Sequence, residues 1–138
     1  MAEMTPDEVN AYLDSRGGYA VLSTIGKDGY PHAVPLGYFR SGQEIVLPVR
    51  GQRKVNILRN PKVAVTVESG TSMKDLKGVV IRGDATLVDD PAAVLELVRE
   101  GARRRGTAED QLPTTTRTGA AYVRVSMKKV ASWDNTKP

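Results

Sequence analysis

The most informative stretch of this sequence is Leu47-Pro48-Val49-Arg50-Gly51-Gln52-Arg53-Lys54-Val55-Asn56-Ile57-Leu58-Arg59-Asn60-Pro61-Lys62. Apolar residues up to Val49 are typical of a strand, and Gly51 allows a sharp turn of the backbone. A short helix is predicted over residues 52–59, and Asn60-Pro61 ends it because the residue before a proline avoids the helical conformation. The stretch therefore predicts a strand, a glycine turn and a short helix in succession.

The same stretch carries a concentrated positive charge, with five basic residues and no acidic residue between positions 50 and 62. These basic residues are Arg50, Arg53, Lys54, Arg59 and Lys62. A helix that begins after a glycine presents free backbone N–H groups and the positive end of its dipole, which favour anions. Arg50, Arg53 and Lys54 could therefore reach one phosphate group. A solvated helix face has the same composition, so these residues alone leave both interpretations open.

Local signals elsewhere predict further helices and strands in a mixed order. Thr5-Pro6-Asp7-Glu8 is typical of a helix start and predicts a helix to about residue 14, ended by Gly17-Gly18. Strands are predicted over residues 19–25, 30–39, 44–49, 62–68, 79–88 and 120–133, the last as one long or bent strand. A tight hairpin turn is predicted at residues 26–29. Another helix is predicted to start at Asp89-Asp90-Pro91, and a long loop is predicted over residues 107–119. This order favours an α+β fold with a small, largely antiparallel barrel of six or seven strands and short flanking helices.

Length and composition exclude several classes of protein. The 138 residues suit one domain over residues 1–138, with a core over residues 5–133 and a tail over residues 134–138. The absence of cysteine and the single histidine argue against disulfides, a cysteine nucleophile and a metal site, and they fit a cytoplasmic protein. The polar N-terminus predicts no export or membrane insertion. The net charge of +4 suits an anionic partner, but aromatic residues at 5% are too few for a typical nucleic-acid-binding barrel.

Few other side chains are candidates for chemistry. His32 lies between Pro31 and Pro35, which predict a strand edge, a bulge or a bend, and this position makes it a pocket candidate. Tyr38 is the best pocket candidate among the aromatic residues, although large aromatic side chains mostly fill cores or interfaces. The arginines of residues 103–105 are interpreted as a solvated helix end.

Four segments together resemble a known family. They are Gly18-Tyr19-Ala20-Val21-Leu22-Ser23-Thr24, Asp28-Gly29-Tyr30-Pro31-His32, Arg53-Lys54-Val55-Asn56-Ile57-Leu58-Arg59-Asn60-Pro61 and Gly83-Asp84-Ala85. From about residue 5 to Trp133 the chain resembles the pyridoxamine 5′-phosphate oxidase-like flavin/deazaflavin oxidoreductases. The resemblance implies a split β-barrel of the FMN-binding type. It also implies a homodimer with two equivalent cofactor sites at the subunit interface.

The resemblance further implies a cofactor and the residues around it. Coenzyme F420 is expected for the branch that this short chain resembles, and FMN is the alternative. Arg53 is expected to contact the cofactor phosphate, and Asn56 to hold the turn before it. The other expected cofactor-binding residues are His32, Val34, Pro35 and Leu36 beside the ring, Leu47, Pro48, Val49 and Arg50 opposite, Gly51, Gln52 and Lys54 at the helix start, and Lys77 from the partner subunit.

These residues lead to a functional expectation. Because the chain lacks obvious acid–base, nucleophilic and metal machinery, a bound cofactor has to carry the difficult chemistry. We expect hydride transfer between the deazaflavin and a small unsaturated substrate, with His32, Tyr38 or water as candidate proton donors. An FMN-dependent oxidoreductase of the same fold is one alternative. A non-catalytic protein that carries or sequesters the cofactor is another, since it needs the same barrel and basic residues.

Overall fold

The computed structural model describes residues 2–16 and 18–138. Within them the chain forms three α-helices, a short 3₁₀ helix at Glu109–Gln111 and eight strands. In chain order the main elements are α1 (Pro6–Arg16), β1 (Tyr19–Ile25), β2 (Pro31–Gly37), β3 (Phe39–Ser41), β4 (Glu44–Val49), α2 (Gln52–Arg59), β5 (Lys62–Ser69), β6 (Lys77–Val88), α3 (Pro91–Arg104), β7 (Ala121–Ser126) and β8 (Lys129–Asp134). None of the helices in the described residues is long and apolar enough to cross a membrane.

The strands form one antiparallel sheet that curls into a half-barrel. The order along the sheet is β2-β1-β5-β6-β7-β4-β3, and β8 also pairs with β6. The long strand β6 joins the two halves, because residues 77–82 pair with β8 and residues 85–88 pair with β7. The predicted α+β split-barrel class is confirmed.

Alternating apolar side chains build the core. Val63, Val65 and Val67 of β5 point into the half-barrel, as their spacing predicts. They pack with apolar residues of the other strands and of α1 that are almost fully removed from water, among them Leu13, Leu22, Ile45, Leu47, Ile81 and Val123. Burial of this surface is the main stabilising contribution to the fold.

Side-chain caps begin two of the helices. The Thr5 Oγ1 accepts from the Glu8 backbone N–H at 3.2 Å, and the Glu8 Oε1 accepts from the Thr5 N–H at 2.9 Å, which is a capping box. The Asp90 carboxylate accepts from the Ala93 N–H at 3.1 Å at the start of α3. Helix α1 continues to Arg16, beyond the predicted end near residue 14, and the predicted stop at Gly17 lies outside the described residues.

Two predicted strands are divided in the structure. The prediction over residues 30–39 was wrong at Tyr38, which separates β2 from β3 and whose buried hydroxyl donates to the Leu13 carbonyl oxygen. The prediction over residues 120–133 was wrong at residues 127 and 128, which separate β7 from β8. There the Met127 N–H donates to the Gln43 carbonyl oxygen at 2.9 Å, and the chain changes its sheet partners. The sheet path contains seven strands, which agrees with the six or seven predicted, and β8 pairs with β6 beside that path.

Candidate functional site

Gly51 shapes the turn between β4 and α2. It adopts φ 61° and ψ −136°, a conformation that residues with a Cβ rarely adopt. A Cβ built on Gly51 would meet no atom within 4 Å, so the space in front of the helix is open. The turn therefore leaves the N-terminus of α2 uncovered.

The N-terminus of α2 presents donors without acceptors. No side chain of the described residues caps it, and the first N–H groups of a helix have no acceptor within the helix. The Arg53 Nε is buried and has no hydrogen-bond partner in residues 2–16 and 18–138. Leaving a buried charged donor unpaired is costly. A phosphate group fits this arrangement, because it would accept from these donors and neutralise the guanidinium.

The basic side chains of this stretch fall into two groups, those with partners in the protein and those in no ion pair. Lys62 lies 3.9 Å from Asp84 in an exposed pair, and Arg59 is held by hydrogen bonds to its neighbours. The ion pairs of the described chain include none of the other basic residues of this stretch, which are Arg50, Arg53 and Lys54. These three remain available to an anion.

Asn56 fastens α2 to the sheet. Its side chain is fully buried, and its Nδ2 donates to the Thr24 Oγ1 of β1 at 3.0 Å. Its Oδ1 accepts from the Gln52 Nε2 at 2.7 Å and from the Arg59 Nη2 at 3.0 Å. The Arg59 Nη2 also donates to the Ile25 carbonyl oxygen at 2.7 Å. Asn56 therefore positions the helix start instead of pointing into open space.

Strand β2 divides the predicted ring-lining residues between two faces. His32, Val34 and Leu36 share the inner face, because they pair with the buried residues Thr24, Leu22 and Ala20. Pro35 lies on the opposite, outer face. His32 lines a shallow cavity of about 640 Å³ with Gln52, Asn56 and the hairpin turn of residues 26–30. His32 and the start of α2 are thus brought together.

Strand β2 also has a free edge. It is the terminal strand of the sheet path and pairs only with β1 among the described strands. Pro31 and Pro35 are four residues apart, so their nitrogens point to the same side of the strand, and both lack an N–H group. Proline is tolerated where that missing donor faces away from the partner strand. The edge position that the prolines predicted is therefore confirmed.

Strand β4 can contact a ligand through its backbone more than through its side chains. Leu47 and Val49 are buried in the core, whereas Pro48 is partly exposed on the outer face. β7 pairs along the whole of β4, but β3 pairs only with its residues 44–46. In the described part of the chain, residues 47–49 therefore have a strand on one edge only. Backbone groups on the other edge are available to a ligand, as the resemblance implies.

Tyr38 and Lys77 lie away from this helix start. The Tyr38 hydroxyl is buried and donates to the Leu13 carbonyl oxygen at 2.6 Å, and burial raises the pKa of Tyr38 to about 12. Its proton is therefore engaged in the core. Lys77 begins β6, where its Nζ lies 3.8 Å from the Asp134 carboxylate. Its expected role at the partner's site stays a prediction.

One feature near the site was not predicted from the sequence. Arg105, interpreted as part of a solvated helix end, lines a cavity together with Tyr38, Phe39 and Tyr122. These residues come from distant segments, and only the packing of α3 on the sheet brings them together. No local pattern in the sequence signals such an arrangement.

Comparisons with known proteins agree with this geometry. The family model described as pyridoxamine 5′-phosphate oxidase matches residues 5–134. The conserved hypothetical protein Rv2991 from Mycobacterium tuberculosis is 28% identical, with a TM-score of 0.86 over 97% of this chain and 87% of that chain. No curated protein matches the chain.

Two more distant structures share the fold. An FAD-binding protein from Mesorhizobium loti is 20% identical, with a TM-score of 0.70 over 95% of each chain. A structure described as F420 reductase is 22% identical, with a TM-score of 0.63 over 86% of this chain and 93% of that chain.

Proposed function

Because the chain belongs to the pyridoxamine 5′-phosphate oxidase family, we propose that it is an F420-dependent oxidoreductase. Its reaction transfers a hydride between the deazaflavin and a small unsaturated organic substrate. The proposal includes a homodimer with two equivalent cofactor sites at the subunit interface. It also places the protein in the cytoplasm, because a chain without cysteine, and so without disulfides, fits that reducing compartment.

The observation that carries the proposal is the start of α2. The open space at Gly51, the uncapped helix N-terminus and the buried, unpaired Arg53 Nε form a site that suits an anion. A phosphate of the cofactor would satisfy all three features. Arg53 would hold it most closely, and Arg50 and Lys54 would add charge.

The remaining residues would position the cofactor ring and exclude water. When bound, the cofactor supplies the hydride chemistry for which this chain has no side chain of its own. Val34 and Leu36 offer an apolar inner face of β2, and the free backbone edge of residues 47–49 can bind polar groups of the ring. His32 lies at the open end of the same face and is the candidate for holding a proton near the reacting atoms. The protein's main contribution is alignment at close range.

The charge of the site favours F420 over FMN. One phosphate needs fewer cations than Arg50, Arg53 and Lys54 provide, and Lys62 has only a long, exposed contact to Asp84. F420 carries a polyglutamate tail in addition to its phosphate, so the surplus charge has a partner. An exposed tail contact should weaken with salt more than a partly buried phosphate contact does.

The outer face of the sheet supports the proposed homodimer. Strand register places one residue from each of five neighbouring strands in a row across this face, and none of them is charged. They are Pro35, Val21, Thr66, Val80 and Ala131. Pro35 and Ala131 are exposed and the other three are partly exposed, and an uncharged row of this kind suits an interface between copies of a chain.

Fluorescence titration of F420 and of FMN into the wild type, Arg53→Gln and Arg103→Gln tests the cofactor assignment. Arg103→Gln is the matched control, because it removes the same charge from an exposed helix, where Arg103 pairs with Glu109. We expect tighter binding of F420, and a loss of about 10- to 100-fold in affinity for Arg53→Gln only, the value of a hydrogen bond to a charged group. Equal affinities in all three proteins would mean that the basic residues form a solvated helix face.

The same titration at two ionic strengths separates the cofactors. The Debye length falls from about 10 Å at 0.1 M salt to about 3 Å at 1 M, so F420 affinity should fall more steeply than FMN affinity. Tighter FMN binding with the same salt response would assign the protein to FMN.

A further inference from the structure

A second cavity lies on the outer face of β4 and β7, beneath the last turn of α3. Its volume is about 410 Å³, which is the size of a small-molecule site. Its lining residues include the aromatic Tyr38, Phe39 and Tyr122 as well as Pro48 and Gly101. We call it the aromatic cavity. Flat apolar walls of this kind suit a planar ligand.

The aromatic cavity adjoins the proposed cofactor site. Pro48 lines the cavity, pairs with Tyr122 across the sheet, and precedes Gly51 by only three positions. Three extended residues span about 10 Å at most. Gly37, at the end of β2, lines the cavity as well, and a Cβ built there would meet no atom within 4 Å. The cavity and the proposed cofactor site therefore share strands β2 and β4.

Two of the arginines at the cavity already have partners. Arg40 makes two hydrogen bonds to the Asp14 carboxylate, at 3.0 and 2.7 Å. Arg104 lies 3.4 Å from Glu100 and stacks over the Phe39 ring, with its guanidinium carbon 5.7 Å from the ring centroid. The charges of Arg40 and Arg104 are therefore neutralised by carboxylates within the protein.

Arg105 is different. It takes part in none of the ion pairs of the described chain. A Cβ built on Gly101 would lie 3.3 Å from the Arg105 Nη1, so the guanidinium lies along the glycine at the cavity wall. Burial raises the pKa of the Tyr122 hydroxyl, and the positive charges of Arg105 and Arg117 oppose that shift. The cavity thus combines aromatic lining residues with an exposed arginine that has no ion-pair partner among the described residues.

We propose that the aromatic cavity binds the substrate, and that the substrate is a planar conjugated molecule with a carboxylate or similar oxyanion that pairs with Arg105. The assignment of this ligand as the substrate rests on the proposed oxidoreductase function. The preference of the cavity for an anionic ring stands on the geometry alone. The oxyanion would fix the orientation of the molecule, and the rings of the wall would hold its conjugated part flat.

The test uses trans-cinnamate and its neutral isostere cinnamamide as probes, titrated calorimetrically into the protein without cofactor. Wild type is expected to bind cinnamate about tenfold more tightly than cinnamamide, the value of one charge-assisted hydrogen bond. Arg105→Gln should abolish this preference, and Arg103→Gln, which removes the same charge outside the cavity, should keep it. Equal binding of the two probes by wild type, or an unchanged preference in Arg105→Gln, would overturn the proposal.

A second measurement separates this proposal from the cofactor assignment. Cinnamate is added to wild-type protein loaded with F420 or FMN, and the absorbance of the bound cofactor is recorded. A spectral shift that Arg105→Gln weakens supports substrate binding beside the ring, and cinnamate binding without any shift overturns it. If neither cofactor binds while the cinnamate preference persists, the proposed function fails and the anion-binding cavity stands.

Discussion

Replacing Asn56 with alanine tests the link between the helix that begins the candidate site and the sheet. The substitution removes a buried amide that holds Thr24, Gln52 and Arg59. Thr24 is 1% exposed, so its hydroxyl loses its partner without access to water. A buried polar group left unpaired costs about 1–3 kcal/mol, and a lost hydrogen bond to a guanidinium costs a similar amount. Since such terms overlap, we expect a loss of about 3 kcal/mol in the free energy of unfolding.

Urea denaturation followed by the fluorescence of Trp133, the only tryptophan, measures this loss. Asn60→Ala is the matched control, because within the described residues the Asn60 side chain makes a single hydrogen bond, in which its exposed Oδ1 accepts from the Lys62 N–H at 3.1 Å. It should lose less than about 1 kcal/mol. The urea dependence should stay the same in both variants, and protein concentration should be fixed in case of association. Equal transition midpoints for the two variants would refute the role given to Asn56.

The remaining predictions concern Tyr38 and the outer face of the sheet. The pKa of Tyr38 is raised from 10.0 to about 12, so the native state retains a proton that the unfolded state loses, and stability should fall as pH rises from 10 to 12. Tyr38→Phe should lack the part of this loss of stability that is due to Tyr38. Unfolding curves at several alkaline pH values measure the loss, and equal losses in both proteins would contradict the prediction. Thr66→Arg, at the centre of the uncharged row, should halve the mass measured by light scattering, whereas Ala11→Arg on the exposed side of α1 should not. A wild-type mass near 15 kDa with cofactor bound would contradict the shared site.

Local signals predicted the site region well. The Gly51 turn, the helix over residues 52–59 and the stop at Asn60-Pro61 depend on conformational preferences of neighbouring residues, and the structure has them where the sequence indicated. Asn56 was expected to hold the turn, and its three side-chain hydrogen bonds show how it does so. The buried, unpaired state of the Arg53 Nε required coordinates, because burial depends on neighbours distant in sequence.

The divisions at Tyr38 and Met127 could not be predicted in the same way. Both depend on tertiary contacts, since Tyr38 reaches the Leu13 carbonyl oxygen and Met127 reaches Gln43. Strand propensity is similar on either side of each break. The aromatic cavity has the same origin, because Arg105 and Tyr122 meet only after α3 has packed on the sheet.

The two prolines of β2 also affect how the protein behaves at high concentration. An unpaired strand edge is a template on which another chain can add a strand, and such growth leads to aggregates and fibrils. The missing N–H groups of Pro31 and Pro35 remove donors at two alternate ladder positions of that edge. Continuous edge-to-edge growth at β2 is therefore blocked in the folded protein. Substitution of either proline by valine would restore a ladder donor, and with it a route to aggregation that the native sequence denies.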